Sequence, residues 1–261
     1  MIRVLVTGIS GRMGSRIAEL LRHSPGLKLN GGTEAPGSFA VETLLPEGHE
    51  VVDDLSKCIE HGDVIIDFTS PEATLKHAKI ASEHQKSLVV GTTGFNEKQK
   101  NELKELLYTI PAVWAPNMSI GVNVLFKIAA QTAKLLGDDY DIEIVEAHHR
   151  HKKDAPSGTA LGLAESIASA INRDLKKVAC YERHGQIGAR PAKEIGIQTL
   201  RGGDIVGDHT AIFAGEGERL ELTHRANNRD NFARGAILAA KWVAKQAAGI
   251  YTMQDVLGLN S

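Results

Sequence analysis

The sequence predicts an α/β protein: a doubly wound parallel sheet with helices on both faces, followed by an α+β unit whose sheet is largely antiparallel or mixed. Three observations carry this. Short apolar runs rich in β-branched residues alternate with helical patterns through the first 118 residues, and such alternation builds a parallel sheet covered on both sides. A glycine-rich turn, GISGRMG, separates the first run from the first helical pattern. In the last third, three strand-like runs follow one another with only the glycine turns RGGD and GEGE between them. Consecutive strands without crossover helices suggest antiparallel pairing.

Ile2–Thr7 is a continuous apolar run, the mark of a strand buried on both faces. The spacing of Met13, Ile17, Leu20 and Leu21 predicts a helix over 12–22. Leu27–Thr33 reads as the second strand and 64–68 as the next. Ser70, Pro71 and Glu72 then supply an N-cap, a first-turn proline and an early carboxylate for a helix to about residue 85. Ser87–Val90 is a strand, Asn96 caps the following helix, and 112–114 is a short strand. A helix over 119–136, a strand over 141–147 and a helix over 159–171 come next. Strands at 194–199, 206–214 and 219–223 follow, and a helix over 230–247 is placed to return to the first domain. The expected domains are 1–118, completed by 229–261, and 119–228.

Composition narrows the function. The 261 residues hold 30 Lys and Arg against 32 Asp and Glu, a net charge of −2. Balanced charge argues against a nucleic-acid binder, whose footprint is a net basic face. Lys or Glu interrupts every long apolar run, so no membrane span is expected. The start MIRVLVTGIS lacks the plan of a signal peptide. Only two cysteines, Cys58 and Cys180, lie far apart in the sequence. A reduced, cytoplasmic protein with inert thiols is the expectation, one disulfide the weaker alternative.

Gly8, Gly11 and Gly14 sit between a strand and a helix, where glycines allow a tight turn and let backbone N–H groups approach a pyrophosphate. Ser10 stands where the usual fingerprint has its second glycine. A plain glycine turn would also explain the spacing. Glu34 favours the dinucleotide reading, because it ends the second strand at the distance expected of a ribose-binding acid. Arg12 meets a phosphate on this reading and is a solvated first-turn arginine on the other. GTTG (residues 91–94) and APNMS (residues 115–119) both follow parallel strands, whose carboxyl ends line the ligand crevice of such sheets.

HHRHKKDAPSGTA, from His148 to Ala160, is the densest chemistry in the chain. A metal site is disfavoured: adjacent His148 and His149 point to opposite sides of an extended chain, and Arg150, Lys152 and Lys153 repel a cation. A solvated basic loop would account for Arg150 and Lys153. It accounts poorly for Ser157, Gly158 and Thr159, which open a helix with backbone N–H groups suited to a carboxylate or phosphate. With His and Lys just before it, the stretch reads as an anionic-substrate site with acid catalysis.

GISGRMG, GTTG, APNMSIGVNV, EAHHRHKKDAPSGTA and RGGDIVGDHT occur in this order. Together they resemble the 4-hydroxy-tetrahydrodipicolinate reductase (dihydrodipicolinate reductase) family over almost the whole chain. The resemblance implies a Rossmann-type nucleotide domain and a substrate domain that also forms a homotetramer. It implies that His148 is the proton donor and Lys152 the second catalytic residue. His149, Ser157, Gly158 and Thr159 resemble the substrate-binding positions. Gly8, Ile9, Ser10, Gly11, Arg12, Met13, Glu34, Gly91, Thr92, Thr93, Ala115, Pro116, Asn117 and Met118 resemble the nucleotide contacts. The implied reaction is reduction of 4-hydroxy-tetrahydrodipicolinate to tetrahydrodipicolinate by NADH or NADPH, with loss of water, in diaminopimelate and lysine biosynthesis. NADH is expected to serve at least as well as NADPH.

Two rival readings remain at this level. A semialdehyde dehydrogenase needs a reactive thiolate, and neither cysteine has a motif around it. A nucleotide-sensing protein without catalysis has little need of both His148 and Lys152. A homotetramer is also expected from the residues. The run of strands carries apolar positions such as Ile195, Ile197, Ile212 and Phe213, with few helices to cover both faces.

Overall fold

The computed structural model describes residues 1–260. The chain divides into two compact units, Met1–Ile120 together with the segment from Arg229 onward, and Gly121–Asn228.

In the first unit, strands β1 (Ile2–Thr7), β2 (Leu27–Thr33), β3 (Val51–Val52), β4 (Val64–Asp67), β5 (Ser87–Val90) and β6 (Pro111–Trp114) are joined by β12 (Gly249–Tyr251). All pairings are parallel, in the order β12-β6-β5-β4-β1-β2-β3. The apolar runs split by the two-residue period of a strand. Val4 and Val6 pack with Ile17 and Leu21 of α1 (Gly14–Leu21) and with Ala236 and Ala240 of α7 (Asp230–Val243). Leu5, between them, packs the other way, with Ala78 of α2 (Pro71–Glu83) and Leu103 of α3 (Glu97–Leu107). Both faces are therefore buried, and this is why the strands read as unbroken apolar runs. The sheet order reverses between β1 and β4, which creates a switch point at their carboxyl ends.

Several boundaries shift. The first helix starts at Gly14 rather than residue 12, because the preceding residues form a turn in which Gly11 N–H donates to Gly8 O at 2.9 Å. The last helix ends at Val243, and β12 and α8 (Met253–Val256) follow it. Strand β12 has no sequence signature: three residues at a sheet edge are too few for a period.

The second unit holds β7 (Asp141–His148), β8 (Ala179–Cys180), β9 (Ile195–Arg201), β10 (Gly207–Gly215) and β11 (Glu218–Ala226), in the order β11-β10-β7-β9-β8. β10 is antiparallel to both neighbours, whereas β9 is parallel to β7 and to β8. The sheet is thus mixed. Consecutive β9 and β10 are not neighbours, since β7 lies between them. The long crossover through α5 (Gly158–Ala170) and α6 (Leu175–Val178) permits the parallel β7–β9 pair.

Helices α4 (Ile120–Leu136) and α5 cover one face: Leu125, Leu163 and Ile167 pack on Ile142, Ile144, Ile197 and Phe213. This corrects the residues expected at a subunit interface. Ile195, Ile197 and Phe213 are each 0% exposed, within the unit's own core. Ile212 alternates onto the opposite face with Thr210 and Val145, and all three are half-buried.

Candidate active site

The residues expected to hold a nucleotide lie after the carboxyl ends of β1, β2, β5 and β6. Gly8 adopts φ +61°, a conformation glycine takes without strain. A Cβ on Gly14 would fall 2.0 Å from Gly8 O, so α1 packs against the turn only because residue 14 has no side chain. The third glycine of a dinucleotide turn serves this close helix–strand approach. Glu34 reaches back to the same turn. Its Oε2 accepts the Ser10 N–H at 3.0 Å and the Ser10 hydroxyl, and its Oε1 accepts the Ala35 N–H at 3.0 Å. Burial pushes the Glu34 carboxyl up, but these donors outweigh it and hold it below the ordinary range. Ser10, the departure from the glycine fingerprint, is thus what orients Glu34.

Gly8, Glu34, Ala35, Asp54, Thr69 and Lys76 are among the residues lining one pocket of about 440 Å³. The loops after β5 and β6 do not line it. Gly91 is required by its neighbour, since a Cβ there would stand 2.2 Å from the Phe68 ring. Thr92 is buried and donates to Asp67 Oδ1 at 3.0 Å, while Thr93 is exposed. Ile9, Ala115 and Met118 are packed in the core. Pro116 is exposed, and the side chain of Asn117 accepts the Ser119 N–H at 2.8 Å. Met13 packs against the same core, and Arg12 is exposed.

Asp67 was not singled out from the sequence. It is fully buried at the end of β4, where Oδ1 accepts Thr69, Thr74 and Thr92 hydroxyls and Oδ2 meets His77 Nδ1 at 2.5 Å. Burial pushes Asp67 up, but His77 and the hydroxyls more than offset it, leaving it below the ordinary range. An aspartate ending the apolar run VIID was the available signal.

In the second unit, β7 ends at His148, a residue only 8% exposed. His148 Nδ1 lies 2.6 Å from Glu146 Oε2. Glu146 Oε1 accepts the Ser157 N–H at 2.9 Å. Ser157 is the N-cap of α5: its Oγ accepts the Ala160 N–H at 3.1 Å and also meets His209 Nε2 at 3.1 Å. The backbone and hydroxyl of Ser157 are therefore committed inside the unit. Gly158 is exposed and Thr159 half-exposed at the same helix start. His149 is half-buried, with a shielded Nδ1 that has no partner among the described residues. Lys152 Nζ pairs with Asp154 Oδ1 at 3.0 Å, and its charge acts on His148. The expected catalytic and anion-binding residues thus gather at one end of the second sheet. Glu146, Arg201 and His209, which complete the cluster, were not singled out from the sequence.

Other chemistries fare less well. Among the described residues no group of three or more His, Cys, Asp or Glu is placed to hold a metal ion. Cys58 is buried, which pushes its thiol up to about 11, and Cys180 is half-buried. Cys58 is therefore not a poised thiolate. No helix among the described residues is long and apolar enough to cross a membrane.

Comparison with known proteins agrees with this layout. Family models for the N-terminus and the C-terminus of dihydrodipicolinate reductase match residues 2–118 and 121–257. The 4-hydroxy-tetrahydrodipicolinate reductase of Syntrophus aciditrophicus is 53% identical, covering 100% of both chains. That of Syntrophobacter fumaroxidans is 52% identical over 99% of this chain and 100% of its own. A dipicolinate-bound dihydrodipicolinate reductase from Paenisporosarcina sp. TG-14 superposes with a TM-score of 0.78 at 25% identity, covering 98% of each chain. Aspartate semialdehyde dehydrogenase II from Vibrio cholerae shares the fold alone, at 11% identity and a TM-score of 0.54. With the glycine turn at one sheet and the histidine cluster at the other, the chain belongs to the dihydrodipicolinate reductase family of pyridine-nucleotide-dependent oxidoreductases.

Proposed function

We propose that residues 1–118 with 229–261 bind the nucleotide, that 119–228 bind the substrate, and that His148 and Lys152 carry the acid chemistry. The reaction is reduction of 4-hydroxy-tetrahydrodipicolinate to tetrahydrodipicolinate with loss of water, the activity for which the relatives are named. The observation that carries the assignment of roles is the buried carboxylate of Glu146, which meets His148 through one oxygen and the N-cap of α5 through the other.

The reduced nicotinamide supplies a hydride. The chain's residues do the rest. Gly8 to Met13 and Glu34 hold the pyrophosphate and ribose, while residues 91–93 and 115–118 hold the nicotinamide end through backbone and small side chains. A carboxylate offers about four lone-pair sites, so Glu34 can still accept a ribose hydroxyl beside its three present donors. NADH is used at least as well as NADPH.

On the substrate side, Gly158 and Thr159 receive one carboxylate at the start of α5, and His149 and Lys152 neutralise the other. Dipicolinate, bound by the solved relative, is a ring dicarboxylate of this kind. The 4-hydroxyl leaves as water together with a proton from the neighbouring ring carbon, and C4 of the resulting unsaturated imine would accept the hydride. Electron density then moves toward the ring nitrogen, and a proton from His148 or Lys152 neutralises it. Acid help of this kind contributes about 10²–10⁴-fold. The enzyme works in the cytoplasm, where its free thiols stay reduced.

The face of the second sheet that carries Val145, Thr210 and Ile212 supports a homotetramer built through it. Light scattering showing a monomer at micromolar concentration would refute the assembly without touching the chemistry. The activity itself is tested by following reduced-nicotinamide oxidation with enzymatically generated substrate. No oxidation with either nucleotide would overturn the reading.

A further inference from the structure

Glu146 is 0% exposed, yet the donors around it favour the charged carboxylate. Burial pushes its carboxyl up, but Arg201, His148 and the Ser157 N–H outweigh this and hold it at about 2. An ionised carboxylate only accepts hydrogen bonds. All its partners must therefore donate: Arg201 at 2.8 Å to Oε2 and 2.9 Å to Oε1, Thr199 at 3.2 Å, Ser157 N–H at 2.9 Å, and His148 Nδ1 at 2.6 Å. It follows that His148 Nδ1 carries a proton in either charge state of the ring. The exchangeable position is Nε2. Gly207 lies beside it, where a Cβ would stand only 3.0 Å from Nε2. Arg201 also donates to Asp154 O at 2.6 Å, in the turn that carries Lys152.

A buried ion pair is a weak source of net stability, because desolvating two charges offsets most of their attraction. What the Glu146–Arg201 pair does supply is a fixed frame. We propose that Glu146 is a positioning residue: through Oε2 it fixes the ring and tautomer of His148, and through Oε1 it fixes the N-terminus of α5. One carboxylate thereby sets the proton donor and the anion-binding turn in register. The proposal rests on the reading of His148 as proton donor.

The charges facing His148 give the test its readout. Glu146 on β7 favours the imidazolium. Burial, Lys152 in the following turn and Arg201 of β9 disfavour it, and His209 of β10 stands against the ring. Replacing Glu146 by Gln leaves only the disfavouring influences. The pH at which kcat falls on the alkaline side, where the acid loses its proton, then moves down. Loss of an adjacent opposite charge is expected to move it by about one pH unit or more.

The experiment compares pH profiles of kcat for the wild type, Glu146→Gln, Glu146→Asp and His148→Gln, with nucleotide affinity measured alongside. The expected result is a downshifted alkaline limb in Glu146→Gln, at least about tenfold lower kcat at neutral pH, unchanged nucleotide affinity, and partial recovery of the limb in Glu146→Asp. Loss of kcat in both Glu146 variants with an unmoved limb would show a merely structural role and overturn the proposal. Wild-type turnover in His148→Gln would overturn the proton-donor reading, and the proposal with it. Should Glu146→Gln fail to fold, heteronuclear NMR of the wild-type ring decides: His148 protonated at Nε2 alone at alkaline pH overturns the proposal.

Discussion

The rings of His148 and His209 meet edge to face, with centroids 5.1 Å apart and planes at 73°. Two imidazolium ions at that distance repel. Burial pushes His209 down to about 3, with the nearby His148 as a further cause. Burial lowers His148 too, but Glu146 works against that shift. Glu146 thus favours a proton on His148, while burial disfavours one on His209 beside Ser157. This asymmetry is what the proposed role of His148 as proton donor requires.

It also predicts a pH-dependent stability. The His209 ring takes up its proton near its ordinary value of 6.5 when unfolded, but only at about 3 when folded. Between these values the unfolded chain binds more protons. Stability is thus full above the higher value and declines as pH falls toward the lower one. Glu146 adds to the decline at its acid end, since its folded value of about 2 lies below the ordinary 4.5. The Tm should fall as pH is lowered from about 7 to about 4, and less steeply in His209→Gln. Parallel Tm curves for the two proteins would remove His209 as the cause.

Catalytic variants test the assignment more directly. His148→Gln and Lys152→Ala should each reduce kcat by at least about 10²-fold, the lower end for a lost acid catalyst. Nucleotide affinity should change little, because both residues lie in the other unit. Near-normal turnover in both would end the assignment. Thr159→Val should chiefly raise KM, as it removes a hydroxyl but keeps the backbone N–H groups.

Gly207→Ala probes the space around the same ring. The added Cβ would press on His148 Nε2 at 3.0 Å, tighter than ordinary contact, with His209 Cε1 at 3.7 Å behind it. His148 is held at Nδ1 and has little room to yield. The variant should fold, bind nucleotide normally and lose kcat by about tenfold or more. A kcat equal to wild type would mean that the ring moves freely, against the picture of a fixed tautomer.

Much of this was legible in the sequence because it is periodic or punctuated. Val4, Leu5 and Val6 spell a strand buried on both faces, and Ser70-Pro71 and Asn96 spell helix starts that the structure shows as caps. Pairing between distant strands leaves no such trace. Nothing local says that β7 inserts between β9 and β10, so that strand order and the inward turn of Ile195 and Phe213 were not to be read. The motif from His148 to Ala160 pointed to the site, but its frame did not. Arg201 and His209 lie 55 and 52 residues from their partners Glu146 and Ser157, and only folding makes the connection.

The expected choice of dinucleotide follows from the charges around Glu34. A carboxylate accepts a ribose 2′-hydroxyl, whereas a 2′-phosphate would set like charges together unless a cation intervened. The next residues, Ala35, Pro36 and Gly37, offer none. The pocket itself is lined by Glu34, Asp53, Asp54 and Glu72 against Lys76 and His77. Lys76, on α2, is a cation that the sequence pattern did not associate with this site. It is exposed, and one exposed charge contact is worth about 1 kcal/mol or less, under a factor of ten. NADH should therefore serve at least as well as NADPH. Ala35→Arg should move the preference toward NADPH, and Lys76→Ala should lower kcat/KM with NADPH by less than about tenfold while leaving NADH unchanged. A wild-type kcat/KM more than about tenfold higher with NADPH exceeds what one exposed contact supplies. If Lys76→Ala left that excess intact, the 2′-phosphate would have to be met by a cation outside this pocket, and the reading of Glu34 as the deciding residue would fall.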